Sequence, residues 1–161
     1  MKIFTINNKE EEKFLRSKAA DFDFSAHSKN EINELVKQIQ EIMKQAIGVG
    51  LSANQIGLDM NVFVAEVPMS DKTLKFFSIF NSKITKKSKE TSILEEGCLS
   101  VPGIYGLVER PARITLVGWD ENDKKIKIKA SGILARVFQH EFDHLNGILF
   151  IDKAKDIHKI I

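Results

Sequence analysis

Residues 139–144 read Q-H-E-F-D-H, with His140 and His144 four positions apart and Glu141 between them. At about 100° per residue, positions i and i+4 of a helix lie within about 40° of one another. Two imidazoles so placed can reach one cation, with Glu141 beside it as a general base. The neighbours are apolar: Ile133, Leu134, Val137, Phe138, Phe142 and Leu145. Unpaired polar groups on such a helix would cost several kcal/mol, so the histidines are either metal ligands or hydrogen-bonded core residues. A hydrolytic site of this kind needs a third protein ligand and an open position for water. In H-E-x-x-H-x-x-G the third histidine of the metalloprotease pattern would fall at Phe150, which cannot ligate. Asp152, Asp156 and His158 lie on a short tail with little room for a second packed helix, so the third ligand is expected upstream. Cys98, the only cysteine, sits in E-E-G-C-L-S-V-P-G. A thiolate is a strong ligand for a borderline-soft metal; a small buried hydrophobe is the alternative reading of a lone cysteine.

These residues need rigid supports. The apolar run around the histidines predicts a buried helix over 132–146, stopped at Asn146-Gly147. A second helix is predicted over 29–46, where Ser28 and Glu31 form a capping-box pair. Its stripe of Ile32, Leu35, Val36, Ile39, Ile42, Met43 and Ala46 recurs at three- and four-residue steps. Strands are predicted at 62–67, 74–80 and 113–119. The last pairs across the polar turn 120–123 with K-I-K-I-K-A, whose alternation points Ile126, Ile128 and Ala130 inward. Gly48 and Gly50 leave room for a backbone to approach closely; a plain turn after the helix is the other reading. Residues 1–27 give no clear pattern, although Phe14 and Leu15 could pack on the body. The fold class is α+β, with small antiparallel or mixed sheets around a buried central helix, in a single domain over 1–161.

Composition excludes several classes. The chain has 161 residues, 43% of them hydrophobic, enough for one compact core. Its net charge of +2, from 24 basic and 22 acidic residues, gives no long-range field for nucleic acid or an anionic membrane. No apolar run approaches a membrane span, no signal peptide is expected at the N-terminus, and one cysteine allows no internal disulfide. A cytoplasmic location, or an organellar matrix in a eukaryote, is expected.

Three segments together resemble the peptide deformylase family: G-V-G-L-S-A-N-Q at 48–55, E-G-C-L-S at 96–100, and Q-H-E-F-D-H at 139–144, continuing L-N-G-I-L-F to 150. They stand in the family's order and spacing, and the resemblance spans roughly residues 28 to 152. It implies Cys98, His140 and His144 as ligands of one divalent metal ion, typically ferrous iron, with zinc, nickel or cobalt able to occupy the site. It implies removal of the formyl group from N-formylmethionyl peptides, with release of formate. A metal-bound hydroxide would attack the formyl carbon, with Glu141 as general acid/base, and Gln55 and the Leu99 N–H would hold the oxyanion. Gly50 and its neighbours, with Gly97 beside the cysteine, would pair with the substrate backbone. The methionine pocket is assigned to Val49, Leu94, Ile133 and Val137, with Arg136 at its rim. Asp143 and Gln139 could orient the ligands, and Glu95 or Glu96 could pair with Arg110. The ribosome, near the emerging chain, is a candidate partner, although the chain ends soon after the catalytic helix, where some relatives carry a long terminal helix. Ser52 stands where the family usually has Ala, so its hydroxyl needs a partner. Two other readings stay open: a zincin-like endopeptidase, disfavoured by Phe150, and a non-enzymatic metal-binding module.

Overall fold

The computed structural model describes residues 1–160. Its helices are α1 (Lys9–Leu15), α2 (Lys29–Gln45) and α3 (Gly132–Leu145). Its strands are β1 (Gly50–Ser52), β2 (Val62–Pro68), β3 (Leu74–Lys87), β4 (Thr91–Cys98), β5 (Val101–Pro111), β6 (Arg113–Trp119), β7 (Lys125–Ser131) and β8 (Lys155–Lys159). Five strands form one antiparallel sheet in the order β1-β2-β3-β6-β7, and three form a second in the order β4-β5-β8. The α+β class expected from the sequence holds.

Strand β2 explains how the layers stack. Val62 and Val64 face one way, into a core with Ile32, Val36, Ile39 and Met43 of α2. Phe63, Ala65 and Val67 face the other way, into a core with Ala135, Val137, Phe138 and Leu145 of α3. A strand covered on both faces needs an unbroken apolar run, which is what residues 62–65 supply. Helix α3 is therefore interior, and most of its residues from Ala135 onward are buried. It ends as expected, with Asn146 at the cap and Gly147 at φ +75. A Cβ at Gly147 would collide with the Arg16 carbonyl. Hairpin β6–β7 pairs Leu116 with Ile128 and Ile114 with Ala130, and leaves the β7 lysines exposed.

Two expectations change, at β3 and at Ser28, and two stretches without a predicted element gain one. Strand β3 runs past the predicted end at residue 80 to Lys87, so Lys83, Lys86 and Lys87 are strand residues with their charges in water. At Ser28 only half of the capping box forms: Ser28 accepts from the Glu31 N–H, while the Glu31 carboxylate faces His27. The tail after α3 is the exposed strand β8, paired to β5. The unread N-terminus contains α1, capped by Asn8, with Leu15 fully buried and Phe14 edge-on to Phe4.

The small sheet is fixed to α3 by charge as much as by apolar contact. Arg110 of β5 is bidentate on Glu96 of β4, at 2.6 and 2.9 Å, and reaches Asp143 of α3 at 2.8 Å. Arg136 of α3 donates to the same Glu96 at 2.7 Å, and Lys153 donates to Asp143 at 2.9 Å. All but Lys153 are buried. Breaking a buried ion pair from one side strands the remaining charge and typically costs about 3–5 kcal/mol. We therefore expect Arg110→Ala to lower the unfolding free energy by about that amount in urea titration. An unchanged midpoint would show that the network does not hold the sheet.

Candidate metal centre

Helix α3 presents His140 and His144 on one face, and the end of β4 brings Cys98 to them. The Cys98 Sγ lies 3.2 Å from the His144 Nε2, which lies 3.2 Å from the His140 Nε2. One ligand atom from each residue falls within 4.8 Å of the others. Donors about 2.0–2.3 Å from a tetrahedral ion lie roughly 3.3–3.5 Å apart, so the two close pairs have nearly the spacing of donors on a common ion. Downstream alternatives are engaged elsewhere: Phe150 stacks on the His140 ring, Asp152 pairs with Arg16, and His158 faces Glu95 and Tyr105.

The electrostatics treat the two rings differently. Burial alone would lower the pKa of His140, but Cys98 and Glu96 outweigh it and hold it well above the imidazole value. Burial, then the neighbouring His140, push His144 well below it. The cluster thus favours positive charge on the His140 ring and disfavours a second one on the His144 ring. The His140 Nδ1 sits 2.8 Å from the Glu96 Oε1. That bond places the proton on Nδ1 and leaves Nε2 free to ligate. Burial raises Glu96, but Arg110 and His140 outweigh it and hold the carboxyl well below the usual range. It remains an anion.

Glu141 is buried, and its Oε2 has no hydrogen-bond partner among the described residues. Burial pushes its pKa up to about 7, suited to a group that accepts and returns a proton near neutrality. Its carboxylate lies against Gly50: a Cβ there would sit 2.7 Å from the Oε1.

Gln55 reaches the centre from the 3-10 turn Ala53–Ile56 after β1. Its Oε1 accepts from the Ser52 N–H at 3.0 Å. A backbone N–H can only donate, so the Nε2 end must face the cleft, where it donates to the Ser100 Oγ at 3.0 Å and lies 3.7 Å from the Cys98 Sγ. The Ser52 hydroxyl finds its partners in the oxygens of Asn54, at 2.7 Å, and Gln55, at 3.0 Å.

A cleft of about 650 Å³ opens over these groups. Its lining brings together Val49, Gly50, Gln55, Gly97, Cys98, Leu99, Ile133, Arg136, Val137, His140 and Glu141. Ile133 is 50% exposed and Val49 54%, leaving apolar surface for a ligand. Three expectations are corrected. Leu94 shares the Glu96 face of β4, yet it does not line the cleft. Arg136 is not a rim charge: it is buried, because Glu96 and the Val108 and Ser92 carbonyls take its donors. Gln139 touches neither ligand and donates to the Pro111 and Ala135 carbonyls. Asp143 acts on His140 only through Arg110 and Glu96, and Glu96, not Glu95, is the partner of Arg110.

Sequence reasoning missed Asn54, whose amide holds the His144 carbonyl, and Ser100, the acceptor of the Gln55 amide. Both are polar residues inside otherwise apolar motifs, a signal of buried hydrogen bonding. It also missed Ile47, Pro102, Gly103 and Tyr105 among the cleft walls.

The family model described as polypeptide deformylase matches residues 1–159. A peptide deformylase of Treponema pallidum is 44% identical over 126 residues, covering 78% of this chain and 75% of the relative. The crystal structure of a probable peptide deformylase from Synechococcus phage S-SSM7 superposes with a TM-score of 0.85 at 39% identity, covering 95% of this chain and 99% of that one. A Met-Ala-Ser-bound deformylase of Acinetobacter baumannii gives a TM-score of 0.86 at 27% identity, covering 95% and 97%. With its sulfur and two ring nitrogens gathered around one point beneath a peptide-sized cleft, this chain belongs to the polypeptide deformylase family, a family of metal-dependent hydrolases.

Proposed function

We propose that the chain hydrolyses the formamide bond of N-formylmethionyl peptides, yielding formate and a free N-terminus. The observation that carries this reading is the convergence of Cys98, His140 and His144 beside a buried carboxylate with a free oxygen, Glu141. A thiolate with two imidazoles suits ferrous iron, and also zinc, nickel or cobalt. When bound, such an ion polarises the carbonyl and lowers the pKa of water from about 15.7 towards neutrality. Glu141 takes the proton of the attacking water and later delivers it to the departing amine. The Gln55 Nε2 and the Leu99 N–H donate to the oxygen on which negative charge develops; losing one such donor typically costs about 3 kcal/mol.

Substrate recognition follows from the two edges beside the cleft. Gly50 on β1 and Gly97 on β4 offer backbone groups that an extended peptide can join as a strand. The methionine side chain enters the apolar wall of Val49, Ile133 and Val137. Two edges take the backbone and one wall takes the side chain. The bound Met-Ala-Ser of the Acinetobacter relative fits this assignment. Peptides emerging from the ribosome are the expected substrates.

A formate-release assay on formyl-Met-Ala-Ser tests the reading, with internal-bond cleavage scored in parallel. Formate release alone is expected; cleavage of internal bonds would favour an endopeptidase. Glu141→Ala should keep one ion per chain by elemental analysis while turnover drops by several orders of magnitude, and near-normal turnover would remove Glu141 from the mechanism. Cys98→Ala should lose the ion during dialysis with the fold retained by circular dichroism. Unchanged metal content would exclude the thiolate as a ligand.

A further inference from the structure

We infer that the N-terminal strap, residues 3–6 anchored by Glu11, is a positioning element that sets the spacing between Gln55 and Leu99; the inference rests on the deformylase reading above. The Phe4 N–H donates to the Gln55 carbonyl at 2.6 Å, and the Ile6 N–H donates to the Ser100 carbonyl at 3.0 Å. One short segment therefore tethers two separate pieces of backbone. One piece carries the Gln55 amide, and the other immediately follows the Leu99 N–H. On the cleft side the same pieces are joined by the Gln55 Nε2 donating to the Ser100 Oγ at 3.0 Å. The result is a closed frame, with backbone bonds outside and a side-chain bond inside.

The strap is itself held from its other edge. The Thr5 N–H points away from the site and donates to the Glu11 Oε2 at 2.8 Å. Lys2 pairs with the other oxygen of Glu11, which is buried. Asn8 caps α1 by accepting from the Glu10 and Glu11 N–H groups, so the residue carrying the anchoring carboxylate cannot drift. The Phe4 ring occupies a cradle that exists only because residue 57 is glycine: a Cβ there would lie 2.6 Å from the ring, at a backbone φ of +81. None of Phe4, Ile6 and Glu11 lines the cleft, so any effect on turnover must pass through the donors they hold. A displacement of about 1 Å in a positioned group can cost up to about 100-fold in rate.

The test compares Glu11→Ala with Ile114→Val, a core change on β6 that lowers stability without touching the strap. Both are measured on the zinc-loaded full chain with formyl-Met-Ala-Ser. For Glu11→Ala, kcat is expected to fall about tenfold with KM within about twofold and one zinc retained. The Gln55 side-chain amide and Leu99 backbone amide resonances should shift with it. Ile114→Val should leave kcat and both resonances in place, and Glu11→Gln, which keeps an acceptor for Thr5, should restore most of kcat. If Glu11→Ala fails to fold, Phe4→Leu carries the same comparison. Unchanged kcat and resonances in the strap variants, or the same changes in Ile114→Val, would overturn the inference. A wild-type chain that releases no formate would overturn the deformylase reading instead, and the two amide resonances would still report whether the strap holds their groups.

Discussion

The Glu96 carboxylate accepts hydrogen bonds from Arg110, Arg136 and His140 while lying almost out of reach of water. A buried anion survives only when it is paired and its lone pairs are satisfied. Here the donors come from β5 and from α3, so solvating this one group requires the small sheet and the central helix to meet in a single arrangement. Cys98 lies two residues along the strand from Glu96, and His140 is one of the donors. The interaction that stabilises the anion therefore also delivers the sulfur to the ring nitrogens.

Around that anchor, α3 divides its circumference between tasks. Phe138 and Leu145 pack into the apolar core beneath the large sheet, and Arg136, His140 and Asp143 turn towards the charged face of the small one. His144 differs from His140 in having no protein partner on Nδ1 among the described residues. Its placement comes from the helix backbone, which Asn54 grips at the His144 carbonyl. One ring is thus aimed by a carboxylate and the other by its main chain. The two sheets contribute unequally as a result: the small one supplies charge, and the turn after β1 supplies amides.

Much of this was legible in the order of residues. Helices α2 and α3 announced themselves by periodicity and by Ser28 and Gly147 at their ends, hairpin β6–β7 by its alternating lysines, and the histidine pair by its clash with an apolar surround. Phe150 pointed the search for a third ligand upstream, to Cys98. What stayed hidden was encoded between distant segments. Strand β4 reads T-S-I-L-E-E-G-C, and no polar/apolar alternation reveals that its inward groups are Ser92 and Glu96, because their partners lie on β5 and α3. The helical wheel places Arg136 beside His140, yet whether a guanidinium reaches water or a carboxylate depends on a residue forty positions away. The strap at residues 3–6 acts through main-chain groups, which carry no signature in side-chain type. Strand β8, with every residue exposed, gives no periodic signal at all.

The contact between Gly50 and the Glu141 carboxylate joins an open strand edge to a buried acid. Residue 50 lies on an edge strand of the large sheet, and the space its missing side chain leaves is filled by the Glu141 carboxylate. Bulk added there would displace the carboxylate and block the strand edge in the same stroke, so affinity and chemistry share one degree of freedom at that point. Ile47, Val49 and Ile133, by contrast, are exposed apolar residues of the cleft wall, where a change of side chain meets solvent and not a buried carboxylate.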